Sequence, residues 1–312
     1  MRVTAQLIDA TTGYHLWSER YDRPLKDIFA LQDEIVQKIV ATLKLQLTLW
    51  EQGDLVRKRT NNLEAYDYFL RGSEQFLRLT KETHAQARQM FERAVELDPQ
   101  YAEAYQALGY TYLREWMFQW SPALQNLERA FELEQQALVL DPSLPFAHVL
   151  LGWVHLWKDR QYEQAIAEAE RAIALDSNNA DSYMALAEIL TYLGRSEEAI
   201  GWMEKAMRLN PRYPALYLRI LGTAYYWTGR TEEAITVFER ALARNPNWLA
   251  AHLFLAFVYS EVGREAEAKA EVAEVLRLSP AFSLEGVRQR LPLKDPADLE
   301  RFLDGLREAG LK

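Results

Sequence analysis

At 312 residues the chain is about two ordinary domains long, and its 49% apolar content with 9 Trp and 16 Tyr is ample for a core. A net charge of −9 argues against a general nucleic-acid binder, which needs a basic face. Zero cysteines remove disulfides, thiolate nucleophiles and zinc-finger sites together, and fit a reducing compartment.

The first residues, MRVTAQLIDATTG, lack the basic start and apolar run of a signal peptide. The longest apolar run, FAHVLLGWVHLW at 146–157, is too short to span a bilayer, so no membrane contact and a cytoplasmic location are expected. Val3, Ala5 and Leu7, then Tyr14 and Leu16, flank the turn-rich Asp9–Gly13 stretch. That alternation predicts a hairpin with Gly13 at positive φ. After Pro24, Ile28, Leu31, Ile35, Ile39 and Leu43 share one helical face. A hairpin and one helix are too little for a stable domain, so residues 1–50 read as an α/β remnant or as a segment packed on the rest of the chain.

Residues 5–40 resemble the end of the TolB-like domain of bacterial regulators, at Leu7-Ile8-Asp9-Ala10, Gly13, Trp17, Glu19-Arg20-Tyr21, Asp27-Ile28-Phe29 and Gln32-Asp33-Glu34. The tail DPADLERFLDGLREAGLK is similar to the end of cyclase-linked members. The resemblance implies an upstream class III adenylate/guanylate cyclase or winged-helix domain in a longer parent, and a C-terminal repeat array. Residues 51–62 break the periodicity and read as a linker, whose Arg57-Lys58-Arg59 run is taken as solvated.

From residue 63 an Ala-x3-large-x2-Ala-x4-Pro signature recurs. Its copies are Ala87/Phe91/Ala94/Pro99, Ala130/Glu134/Ala137/Pro142 and Ala165/Ala169/Ala172/Ser177. They continue as Ala199/Met203/Ala206/Pro211, Ala234/Phe238/Ala241/Pro246 and Ala268/Val272/Val275/Pro280. The clearest unit, 180–211, predicts two amphipathic helices, with Gly194 at positive φ between them, Ser196 capping the second and Pro211 stopping it. Tyr105-x2-Leu108-Gly109-x2-Tyr112 is close to the first-helix pattern of tetratricopeptide repeats, and the spacing resembles that family over 63–281. The extra residues of the second unit, REWMFQWSPALQN, fall between its helices, where the aromatics cover the groove edge or pad a long loop.

The expected fold is mainly α: a right-handed superhelix of about six such repeats, with the N-terminal remnant and a C-terminal capping helix in 282–312. Leu299, Phe302, Leu303 and Leu306 form the apolar face of that helix.

Catalytic chemistry is not expected. His148, His155 and His252 fall at aromatic positions of the repeat and are read as core substitutes, and no H-x3-H or HExxH spacing exists. No glycine-rich phosphate loop or G-x-S-x-G elbow is present, and no cofactor or metal is assigned. In stacked helix pairs the first helices line a concave groove. The positions predicted to face it are Tyr110, Arg114, Val149, Trp153, Trp157, Met184, Glu188, Tyr192, Arg219, Tyr226, Trp227, Leu253 and Phe257.

The aromatic and arginine members (Tyr110, Arg114, Trp153, Trp157, Tyr192, Arg219, Tyr226, Trp227 and Phe257) are the candidate peptide- or protein-binding set, with the two arginines placed to fix a carboxylate. The Lys/Asn carboxylate clamp of chaperone-type tetratricopeptide domains is absent from these positions. Two readings stand: a non-enzymatic module binding a peptide or protein segment in this groove, or an oligomerisation scaffold whose groove its own chain fills.

Overall fold

Small residues on one helix let a second helix approach closely, and this chain repeats that arrangement. The computed structural model describes residues 1–10, 12–42, 60–78, 80–118, 120–121 and 124–312. In all six copies of the repeat signature, every residue up to the closing proline or serine is buried. The described chain divides into two compact units, residues 1–104 and 105–312.

In the first unit β1 (Arg2–Ile8) pairs antiparallel with β2 (His15–Asp22), in the register Val3↔Tyr21 and Leu7↔Trp17, with an irregularity at Leu7/Ile8. Gly13 takes φ +74° in the turn, the conformation expected of it. Tyr21 of β2 and Leu31 of α1 (Ile28–Thr42) are buried, and Phe29 meets Tyr66 edge-on at 5.3 Å. Tyr66 lies on α2 (Leu63–Phe76), capped by the Asn62 side chain, and α2 pairs with α3 (Lys81–Leu97), opened by a Thr80/Thr83 capping box. Gly72 admits Phe91: a Cβ there would lie 2.8 Å from the ring. The helix end expected to continue past Thr42 and most of the expected linker, with Arg57-Lys58-Arg59, lie outside the described residues.

Helix α4 (Ala102–Met117) begins at the end of the first unit and runs into the second. There follow α5 (Gln125–Leu140), α6 (Pro145–Lys158), α7 (Tyr162–Leu175), α8 (Ala180–Tyr192) and α9 (Ser196–Leu209). The array closes with α10 (Ala215–Trp227), α11 (Thr231–Arg244), α12 (Leu249–Glu261) and α13 (Glu265–Leu278). From α5 onward each helix packs on its successor, and each first helix packs on the next first helix: α6 on α8, α8 on α10, α10 on α12.

Second helices end at Asp141, Asp176, Asn210, Asn245 and Ser279, whose backbone leaves the helical region, as suits the residue before a proline or its substitute Ser177. The turn after α8 holds Gly194 at φ +83°; Arg160 takes the same role after α6 at φ +52°, a conformation unfavourable for a residue with a Cβ.

One local expectation is corrected. Ser196 does not cap α9; it is the first helical residue, and its hydroxyl is buried without a hydrogen-bond partner. Arg195 occupies the cap, and its guanidinium grips Glu198 at 2.6 Å, as Arg230 grips Glu233 and Arg264 grips Glu267 in the next two turns. A charged staple replaces the hydroxyl cap. Among the described residues no helix is long and apolar enough to cross a membrane.

Candidate protein-interaction face

Helices α8, α10 and α12 are apolar around most of their circumference, so each must be covered on more than the side facing its own partner. Ser182–Tyr192 and Ala251–Tyr259 are buried without a break. The chain beyond α13 provides the cover. Ser283 caps the short α14 (Leu284–Arg290), the run Leu291-Pro292-Leu293-Lys294 comes next, and Asp295 caps α15 (Pro296–Glu308).

This segment lies along the turn after α6, the start of α7 and the first helices α8 and α12. The Arg160 guanidinium donates to the Arg288 carbonyl at 3.2 Å, and the Tyr162 hydroxyl to the Pro292 carbonyl at 3.2 Å. The Lys294 amide donates to the Tyr192 carbonyl at 2.9 Å. Arg301 and Tyr226 both bind the Glu261 carboxylate, at 2.8 and 2.9 Å. Phe302 sits 4.6 Å from the Phe257 ring and 5.0 Å from Phe254. Gly305 permits this fit, because a Cβ there would stand 2.7 Å from Phe257. Leu299, Phe302, Leu303 and Leu306, the stripe expected on the capping helix, are all buried.

The candidate binding residues therefore divide. Trp153, Tyr192, Arg219, Tyr226 and Phe257 are buried, Trp153 and Phe257 to 1% and 0% exposure; Tyr110, Arg114, Trp157 and Trp227 are half-buried. Solvent exposure of this whole aromatic set, expected from the spacing, does not hold for the first five. The reason is tertiary: neighbouring first helices and the 284–312 segment cover them. Half-buried Tyr110 and Trp157 form a ladder with two buried indoles, Trp153 lying 5.9 Å from Trp157, Trp157 5.6 Å from Trp116, and Tyr110 6.5 Å from Trp153. Arg114 lies 4.6 Å over the Tyr110 ring and donates to its hydroxyl at 3.1 Å. In the inserted stretch Phe118 and Trp120 stack at 5.0 Å, Phe118 exposed; Gln119 lies outside the described residues.

Charge is internally compensated at the centre. Arg219 binds the buried Glu188 carboxylate and reaches the Tyr192 hydroxyl at 3.5 Å. Burial opposes the Arg219 charge, but Glu188 and Tyr192 outweigh it and hold its pKa above the ordinary arginine value. Burial pushes the Tyr192 phenol up to about 12. Arg219 is thus spent on Glu188 rather than presented to a ligand carboxylate. Three polar atoms on this face have no hydrogen-bond partner: Trp153 Nε1, Glu188 Oε2 and Trp227 Nε1. Each such buried atom costs ~1–3 kcal/mol.

His252 is buried at its packing position and is also hydrogen-bonded: its Nδ1 binds Glu271 at 2.5 Å and its Nε2 the Pro246 carbonyl at 2.9 Å. Burial alone would lower its pKa, but these acceptors raise it overall. His148 meets Glu168 at 2.6 Å and His155 meets Gln161 at 2.8 Å. No group of three or more potential metal ligands occurs among the described residues.

Sequence reasoning missed Arg160, Tyr162 and the 288–294 run as parts of this face. The available signal was the Leu-x2-Phe-Leu-x2-Leu stripe on a terminal helix that has no second helix of its own before it.

Family models described as tetratricopeptide repeat match residues 90–132, 147–179, 176–247 and 228–283. A Rhizobium meliloti (strain 1021) protein named "Putative adenylate cyclase 3" is 39% identical over 173 residues, 55% of this chain and 29% of that protein. The chain therefore spans under a third of that relative's length. Among solved structures, "Crystal structure of APC/C hetero-tetramer Cut9-Hcn1" aligns with TM-score 0.57 at 17% identity, covering 92% of this chain and 54% of that one. "Human IFIT1 dimer with PPP-AAAA" aligns with TM-score 0.59 at 20% identity, covering 80% and 56%. At these identities the likeness concerns the fold alone. The helix pairs, their buried signature and the matched repeat models agree: this chain is a tetratricopeptide-repeat protein.

Proposed function

We propose that the chain is a non-enzymatic protein-interaction module, cytoplasmic, serving a bacterial signalling polypeptide. The face formed by α6, α8, α10 and α12 is its recognition surface, with Tyr110, Arg114, Trp157 and Trp227 as its accessible residues and Trp153, Tyr192, Arg219, Tyr226 and Phe257 as the buried residues that shape it. One observation carries the reading: this face holds a peptide segment. The turn after α6, the first residue of α7 and the end of α8 hold the carbonyls of Arg288 and Pro292 and the amide of Lys294, and α12 seats Phe302 against Phe254 and Phe257, which is the chemistry of peptide recognition. The partner class is a protein or peptide. The relative named for an adenylate cyclase, and the TolB-like resemblance of residues 5–40, support placement beside a cyclase or regulator output domain.

The test is a photo-crosslinking amino acid in the full chain at Trp157, with Val139 on the exposed side of α5 as the control. Protein adducts from position 157 and not from 139 support the reading. Equal adducts from both, or none from 157, overturn it.

A second reading, a structural oligomerisation scaffold with its groove filled for good, is favoured by the complete burial of Phe302, Leu303 and Leu306. It predicts that α15 opens only when the whole array unfolds.

A further inference from the structure

We infer that residues 284–312 act as an intramolecular inhibitor of this face, and that a partner's amphipathic helix replaces them to bind. The inference rests on the protein-interaction reading and names the regulation of that same surface.

Two independent observations point this way. The first is a set of buried polar atoms left without partners. Trp153 Nε1, Glu188 Oε2 and Trp227 Nε1 belong to α6, α8 and α10, three successive first helices, and none finds a partner among the described residues. A buried donor or acceptor without a partner is a standing cost that a better-matched occupant removes. Two indole donors and one carboxylate oxygen describe that occupant: it carries acceptors for the indoles and a donor for the carboxylate.

The second is how the segment is fixed. Main-chain and hydroxyl hydrogen bonds hold it at Arg160, Tyr162 and Tyr192, and the Arg301–Glu261 pair holds it at the far end. Main-chain bonds of this kind read no side chain of the segment, so any segment that brings two carbonyls and an amide to these points can make them. The specific element is α15, whose Leu299, Phe302, Leu303 and Leu306 fall at i, i+3, i+4, i+7. A competing helix must carry that same stripe, with a small residue in place of Gly305 where Phe257 presses close. Helices α8, α10 and α12 pack directly on one another, so that packing is not made through the segment.

The experiment uses the full chain and one probe, a synthetic peptide of residues 282–312. Hydrogen exchange is followed separately in 296–308 and in α8, α10 and α12. Amides of 296–308 are expected to exchange at least about tenfold faster than those of α12, because the segment opens without the array. Excess peptide is expected to quicken 296–308 further while α8–α12 stay protected. Phe302→Ala in the chain, with the wild-type peptide, is expected to tighten peptide binding by about tenfold or more. Should that variant lose its fold, Arg301→Ala, which removes only the grip on Glu261, serves in its place. Exchange of 296–308 in step with α12, unmoved by peptide, overturns the inference and leaves the interaction reading to the crosslinking at Trp157. Peptide binding equal in wild-type and variant chains overturns it as well.

Discussion

Glu134 offers the sharpest test of the packing argument. It stands at the large position of the second helix, where other repeats place Phe91, Met203 and Phe238. Its carboxyl is fully buried against Gly109 and neither oxygen has a partner. Burial raises its pKa well above the ordinary value of 4.5. The folded carboxyl therefore keeps a proton at pH values where the unfolded chain has released it. The stability linked to this group is full below pH 4.5 and falls as pH rises toward the folded pKa.

Between the ordinary value and the folded pKa the slope is about 1.4 kcal/mol per pH unit. In a stacked array the effect stays local to α4 and α5. Hydrogen exchange in residues 105–117 and 125–140, corrected for intrinsic rates, should show opening that grows with pH in the wild-type chain and not in Glu134→Gln. Glu134→Met, which copies the residue of the 180–211 unit, should protect both helices at the higher pH. An identical pH dependence in wild type and Glu134→Gln would refute the reasoning.

The same geometry sets three further outcomes. Arg219→Leu alone should cost ~3–5 kcal/mol in urea unfolding by stranding the Glu188 charge, and Arg219→Leu with Glu188→Leu should cost less than the single change; additive losses would contradict the buried pair. Gly222→Ala puts a Cβ 2.9 Å from the Phe238 ring and Val237 Cγ2 and should cost ~1–3 kcal/mol, partly recovered by Phe238→Leu in thermal unfolding. His252 has a raised pKa, so its contribution is full below the ordinary value of 6.5 and is lost as pH rises through the folded value. The difference in thermal midpoint between about pH 6 and pH 8 should shrink in His252→Phe, and an unchanged difference would remove the histidine from the account.

The repeats were legible because their information is local. Ala199, Met203 and Ala206 meet a neighbouring helix in every stacked pair, whatever lies further away, and Gly194 marks its turn by the φ it alone tolerates easily. Arg160 broke that rule and still made the turn, since its side chain gains the Arg288 carbonyl. Ser196 misled because a hydroxyl beside two glutamates looks like a cap, whereas the Arg195–Glu198 pair holds the helix start. The groove residues were found by register, but their exposure was not. Whether Phe257 faces water depends on Phe302, and no periodicity within α12 records a partner that far along the chain.

A stack of helix pairs is ordinarily a string of neighbours, each sensing only the next, so that one end can fray while the other stands. The bonds from Arg160 to Arg288 and from Tyr162 to Pro292 bridge 128 and 130 positions and turn that string into a ring. A disturbance at the turn between α6 and α7 then reaches the 288–292 run without passing through α8, α10 and α12. Probes placed in α7 and in α12 should report one shared midpoint rather than two, and the ring should fold more slowly than an open stack of equal length, because its closure joins residues far apart in sequence.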